Sequence, residues 1–142
     1  MARYWLCTVS EENWRVIKQR LIWGVSEKFR KRIENISAGD IIVFYVAPAS
    51  IGGVFEVTSQ VFKNDTRIFM SDEVYPYRVR LKPLLVPAKR VNFKPLITRL
   101  SFIRDKSRWS AYIRLPLREI SKEDYEIIVK HVKEGERCSQ TG

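Results

Sequence analysis

The sequence predicts an α+β fold, a small mixed β-barrel with flanking helices, on three observations. Residues 41–46 (Ile41, Ile42, Val43, Phe44, Tyr45, Val46) are apolar without alternation, the pattern of a central strand buried on both faces. The pair Gly52-Gly53 then lets the backbone enter a second apolar strand, Val54 to Gln60, at close quarters. Trp23 stands beside Gly24 in what reads as a loop between two helices, which places an aromatic ring at the barrel mouth.

The elements follow in order. Residues 1–7 (Met1 to Cys7) lack the long apolar core and small-residue cleavage site of a secretory signal and read as the first strand. Ser10 is a good N-cap, and Glu11 and Glu12 suit the positive end of a helix whose apolar face carries Trp14, Ile17 and Leu21. Gly24 is expected to end that region in a tight turn. Ser26 caps a second, short helix through Phe29 and Ile33, and Ser37-Ala38-Gly39-Asp40 forms the turn into the central strand.

Further along, Lys63-Asn64-Asp65-Thr66 is a loop leading into a stretch that holds Ile68, Phe69, Met70 and Tyr75. Residues 77–82 alternate, with Tyr77, Val79 and Leu81 on one face and Arg78, Arg80 and Lys82 on the other. Pro83 and Pro87 break regularity, so residues 88–107 read as loops anchored by apolar clusters at 95–97 and 100–103. Residues 108–114 are expected to be a last strand. Ser121 with Asp124 resembles a capping box, and Tyr125, Ile128, Val129 and Val132 mark a closing amphipathic helix that ends near Gly135.

The chain of 142 residues is expected to be one domain over residues 1–135 with a flexible tail over 136–142. A chain of this length buries roughly two-thirds of its unfolded surface. No apolar run approaches the roughly 20 residues that span a bilayer, so no membrane partner is expected. Cys7 in a strand and Cys138 in a polar tail make a structural disulfide a poor reading and favour a reducing cytoplasm.

Charge narrows the function further. The net charge is +10, and between Pro76 and Arg118 there are twelve Lys or Arg against the single acid Asp105. From Arg15 to Arg32 there are seven bases against Glu27 alone. Segregated cations suit a polyanion, because contacts to phosphates release condensed counterions. A solvated basic surface of the kind found in proteins from hot environments is the plainer alternative.

Catalytic chemistry is poorly supplied. The single histidine, His131, lies late in the C-terminal helix between Lys130 and Lys133, the setting of an exposed helix histidine. There is no Walker A loop, no GxGxxG after a strand, no metal-ligand cluster and no cofactor motif. Asp72 and Glu73 read as a solvated acidic loop, and nothing selects Asp40 or Glu56 as an acid or base. Trp5, Trp14 and Trp109 fall on apolar faces and are read as core, with Tyr45 a core anchor at the barrel rim. Trp23 is different, since packing periodicity does not demand a large ring in a loop. Base recognition needs aromatic stacking, short polar groups for the base edge and a basic surround, and this chain has parts for each.

The segments Trp23-Gly24-Val25, Gly39-Asp40 before the strand ending in Tyr45, Ile51-Gly52-Gly53 and Tyr77-Arg78-Val79 together resemble the EVE domain, a PUA-like barrel related to the YTH domain. The resemblance covers the chain from Tyr4 to Ile120. It implies a binding module without enzymatic activity that recognises a modified, methylated base in DNA or RNA.

Similarity to the YTH relatives frames the pocket with the Gly24-Val25 loop and the segment 68–75. In this reading Trp23, Phe69 and Tyr75 line the pocket, while Ser26 and the Gly24-Val25 backbone read the base edge. Lys28, Arg30, Lys31, Arg32, Arg78, Arg80 and Lys82 would hold phosphates. The chain departs from the YTH pattern, which has tryptophan directly after Gly-Val; here Ser26 follows and Trp23 precedes the glycine. Two other readings fit the same fold: a general RNA-binding PUA-like module indifferent to modification, and a small hydrolase or nuclease like some ASCH relatives.

Overall fold

The computed structural model describes residues 2–69 and 74–141. Met70, Asp72 and Glu73, named above, lie outside the described residues. Strand β1 (Tyr4–Val9) leads into helix α1 (Glu11–Arg20), and β2 (Ile22–Val25) follows at once. A 3-10 turn (Glu27–Phe29) runs into the short helix α2 (Arg30–Ile33). Next come β3 (Ile41–Val46), β4 (Ser50–Val57), β5 (Phe62–Lys63), β6 (Tyr77–Leu85) and β7 (Val91–Asn92). Two 3-10 segments (Lys94–Leu96 and Lys106–Ile113) precede β8 (Leu117–Ile120) and helix α3 (Lys122–Thr141).

These strands build one mixed sheet in the order β2-β6-β4-β3-β1-β8, with β5 on β6 and β7 on β4. It is curled into a half-barrel. β1 and β3 pair in parallel, and the other pairs are antiparallel. The apolar run of β3 is buried on both faces, as its lack of alternation predicts. Ile42, Phe44 and Val46 join the inner cluster with Trp14, Ile17 and Phe55. Val43 and Tyr45 face the other way and pack with Phe93, Leu96, Leu100, Ile103 and Ile128. The irregular segment 93–113 and α3 therefore cover the outer face of the sheet.

Local chemistry sets the helix ends. The Ser10 side chain accepts a hydrogen bond from the Asn13 N–H at 3.2 Å, capping α1. The helix ends one residue before Leu21, which takes the left-handed conformation at φ 56° while its N–H bonds Ile17 O at 2.8 Å. Gly24 is thus not the terminator. It lies inside β2, opposite Arg78 of β6. At α3 the Ser121 hydroxyl accepts from the Asp124 N–H at 3.1 Å, but the Asp124 carboxylate turns away to Ser101 N and Oγ at 3.0 and 2.7 Å. That carboxylate ties the outer segment to the helix instead of closing the capping box.

Two expectations are corrected here. Residues 108–114 do not form a strand: most of them lie in the 3-10 segment Lys106–Ile113, headed by an Asp105 side chain that accepts from Ser107 N–H. The closing strand is β8, paired with β1. Helix α3 also continues past Gly135 to Thr141. A Cβ at Gly135 would lie 2.9 Å from Val91, so the glycine serves close helix–strand approach rather than a stop.

The glycine pair has a specific task. Register along β3 and β4 shifts between Phe44, opposite Gly53, and Tyr45, opposite Ile51, which leaves Gly52 as an extra residue in a bulge. The Trp14 ring lies against it, and a Cβ there would stand 2.6 Å from Cε2 and Cζ2. Trp14 is 1% exposed and packs against Phe44 and Phe55 with centroids 5.8 Å away, so the ring has nowhere to withdraw. Gly52→Ala is expected to destabilise the fold by about 1–3 kcal/mol through overpacking. A thermal melt that leaves the midpoint unchanged would refute this account of the bulge.

Among the described residues no helix is long and apolar enough to cross a membrane. Cys7 is a buried free thiol, and burial raises its pKa well above the ordinary thiol value.

Candidate functional site

The end of β1, one side of α1 and residues 23–25 of β2 meet around a cavity of about 310 Å³. Its lining contains Trp23, Gly24, Val25, Ser26, Phe69 and Tyr75, the residues singled out from sequence, now on one wall system. It also contains Thr8, Val9, Ser10, Asn13, Ile17, Phe29 and Pro116. The volume sits at the small end of ligand pockets, the scale of one base or nucleoside.

Trp23 does not stand in a loop. It is the second residue of β2, pairs with Val79 and is 2% exposed. Its ring meets Phe44 edge-on with centroids 6.1 Å apart. The ring therefore belongs both to the core and to the cavity wall. Phe69 is also buried, and Tyr75 leans on it with centroids 5.7 Å apart and planes at 43°. Those two rings contact each other, so a ligand would lie along them rather than between them.

The polar groups come from chain ends and turns. Ser26 precedes the 3-10 turn, and its side chain makes no capping hydrogen bond. Asn13 is the more informative addition. It sits one turn before Ile17 on the buried side of α1, where an apolar residue would be expected, and carries both a donor and an acceptor to the cavity wall. A polar residue on a buried helix face was the legible signal, hidden by the capping reading of Ser10.

Arg78 overturns the three-cation strand face. Arg80 and Lys82 are exposed as expected, but Arg78 is 2% exposed and turned inward. Its Nε donates to Tyr75 O at 2.7 Å, a terminal nitrogen donates to Thr66 O, and the guanidinium lies 5.5 Å from the Phe69 ring centroid. Burial lowers its pKa, although guanidinium starts so high that it stays charged. A phosphate cannot reach it. Its work is to pin the aromatic segment before β6 against β2, and Gly24 makes room: a Cβ there would lie 2.7 Å from Arg78 Cγ.

The remaining cations differ in availability. Arg30 bonds Glu34 at 3.2 Å, approaches Glu27 at 3.9 Å and lies over the Tyr77 ring at 5.3 Å. The hydrogen bond to Glu34 is the main cause that raises its pKa. Lys28, Lys31 and Arg32 are exposed along the same turn, with Lys28 near the Phe29 ring. Arg80 lies over Phe62 at 5.2 Å, and Lys82 faces Glu56 across the β4–β6 ladder.

The acids have structural work. Asp40 is buried and accepts from Arg3 N, Trp5 Nε1 and Ser37 N at 3.0, 3.1 and 3.0 Å, closing the turn before β3. His131 Nε2 meets Asn92 O at 2.7 Å, joining α3 to β7. Among the described residues no group of His, Cys, Asp and Glu is placed to hold a metal ion.

The chain is a small mixed half-barrel with an aromatic-walled cavity. The EVE domain family model matches residues 3–131, and the chain belongs to that family. It is 39% identical to a UPF0310 protein of Pyrococcus abyssi, an alignment covering 88% of this chain and 96% of that protein. Its fold is similar to the YTH domain of the Zygosaccharomyces rouxii MRB1 protein, solved in complex with N6-methyladenosine RNA. The TM-score is 0.70 at 19% identity, covering 93% of this chain and 87% of that one. A hypothetical protein from Leishmania major is similar with TM-score 0.67 at 16% identity, covering 94% and 96% of the two chains. At such identities the likeness is one of fold, the PUA-like α+β barrel.

Proposed function

We propose that this protein is a non-enzymatic reader of a modified base in DNA or RNA. The observation that carries the reading is the cavity of about 310 Å³ with Trp23, Phe29, Phe69 and Tyr75 in its walls and Ser26 and Asn13 among its polar groups. The YTH structure with N6-methyladenosine RNA supports it through shared fold.

In this reading the base stacks along the aromatic wall, which contributes roughly 1–3 kcal/mol. Ser26, Asn13 and the Gly24-Val25 backbone bind its edge. Burying a methyl adds about 0.8 kcal/mol, roughly fourfold in affinity. Shape selection for one carbon extends discrimination to about 200-fold at most. Lys28, Lys31, Arg32, Arg80 and Lys82 supply charge to the flanking phosphates, with Arg30 shared between phosphate and its glutamates. Arg78 leaves that set. No step requires catalysis, and a cytoplasmic nucleic acid is the partner.

The basic surface also favours a second reading, general RNA binding without preference for modification. One titration separates the two. Single-stranded DNA and RNA, unmodified or carrying 5-methylcytosine or N6-methyladenine, are compared at low and high salt. A methyl-dependent gain that survives high salt, and is abolished in Tyr75→Ala while the salt dependence stays, is the expected result. Equal binding to every strand, fading together with salt, would leave only the general reading.

A further inference from the structure

We propose that a second groove, on the other flank of α1, carries the phosphate backbone of the same single strand whose base enters the pocket. This inference rests on the nucleic-acid reading above and assigns a distinct surface to it.

The groove has a volume of about 670 Å³ and is lined by Lys18, Lys89, Arg90 and Lys94, with Trp14 and Asn92 among the other lining residues. Among the described residues no acidic side chain lines it. The nearby carboxylate of Glu11 is already engaged, by Arg90 at 3.1 Å and Arg15 at 4.0 Å. Lys18, Lys89 and Lys94 are exposed and form no ion pair among the described residues. The stretch from Lys82 to Arg104 contains six Lys or Arg and no acid, and the turn around β7 gathers three of those six beside the Lys18 of a distant helix.

Three lysines brought together without an ion-pair partner among the described residues repel one another, and a chain of phosphates relieves that repulsion. Position supports the link to the pocket. Asn13 and Ile17 line the cavity while their neighbours Trp14 and Lys18 line the groove, so one helix, about 10–12 Å across, forms the shared wall. A few nucleotides span that width. A single strand also presents an unstacked base without the few kcal/mol that flipping from a duplex costs.

The test is the salt dependence of binding to an unmodified single strand of about 12 nucleotides, with RNA and DNA in separate arms. Each neutralised phosphate contributes about 0.7 to the slope of log affinity against log salt. Lys89→Gln/Lys94→Gln is expected to lower that slope by about 1.4. The control Lys130→Gln/Lys133→Gln removes equal charge from a separate depression on α3 and is expected to change it by less than half as much. Equal effects of the two variants, an unchanged slope, or wild-type protein that binds neither strand would overturn the groove. Equal binding of polyglutamate would assign it to an acidic protein instead, and overturn it too.

The methyl preference is measured in parallel. A groove variant that loses slope in a protein with no preference for any modification leaves the groove standing and sinks the base reading. A methyl preference with no slope change does the reverse.

Discussion

Trp23→Ala is expected to unfold much of the protein's stability margin and to abolish base binding together. The ring is 2% exposed, lies in β2 and meets Phe44 edge-on, so its removal opens a void in the core that merges with the cavity of about 310 Å³. Truncations of this kind cost about 3–5 kcal/mol, which for a domain of this size lowers the melting midpoint by roughly 10–20 °C. Loss of binding in this variant alone would therefore say little about the pocket. Trp23→Phe keeps an aromatic face in the wall at a smaller cost in stability. It is expected to stay folded at room temperature and bind the modified strand more weakly than wild type. Thermal unfolding and strand titration, run on both variants, check the pair. A Trp23→Ala protein that melts within 1 °C of wild type would refute the packing account.

Arg78→Met is expected to loosen the aromatic segment before β6 and cut affinity for the modified strand at least tenfold. The side chain holds the Tyr75 and Thr66 carbonyls and lies over Phe69, so one residue positions two walls of the cavity. Hydrogen bonds from a charged donor contribute about 1.5–3 kcal/mol each. With partial relaxation the stability loss is about 2–4 kcal/mol. Arg78→Lys is not expected to rescue it, because an ammonium lacks the planar fork that reaches two carbonyls while lying flat on a ring. Gly24→Ala should reproduce the defect by displacing Arg78 Cγ, from which the new methyl would stand 2.7 Å away. Amide hydrogen exchange is the readout, with faster exchange expected at Asn64 and Thr66, whose N–H groups bond Pro76 O and Asn64 Oδ1 at 2.8 Å. Unchanged exchange and affinity in Arg78→Met would mean that another contact holds the segment.

Local signals in the sequence carry a long way here. An apolar run without alternation made β3 a strand buried on both faces, because only a strand with cover on each side tolerates it. Ser10 followed by two glutamates and an apolar stripe defined α1, since capping and dipole effects act within one turn. The glycine pair announced a close approach, although not what approached. The charge asymmetry was plain from the residues alone, while its division into paired, buried and available cations was not.

What the sequence by itself determined was therefore the class of fold, its central strand, its first helix and its basic character. The tertiary structure decided which residues share a wall. Trp23 looked like a loop residue because a four-residue strand is too short for alternation to show, and only pairing with β6 makes it one. Residues 108–114 alternate like a strand yet lie within or at the end of a 3-10 segment, and β1 takes β8 as its neighbour in their place. Arg78 had the spacing of a surface cation, but its partners are two carbonyls from a segment folded back on its strand. Propensity and capping act over one or two turns and can be read along the chain. Strand pairing, bulges and the counter-charges of a buried cation are set between residues far apart in sequence, and those contacts exist only once the sheet has closed.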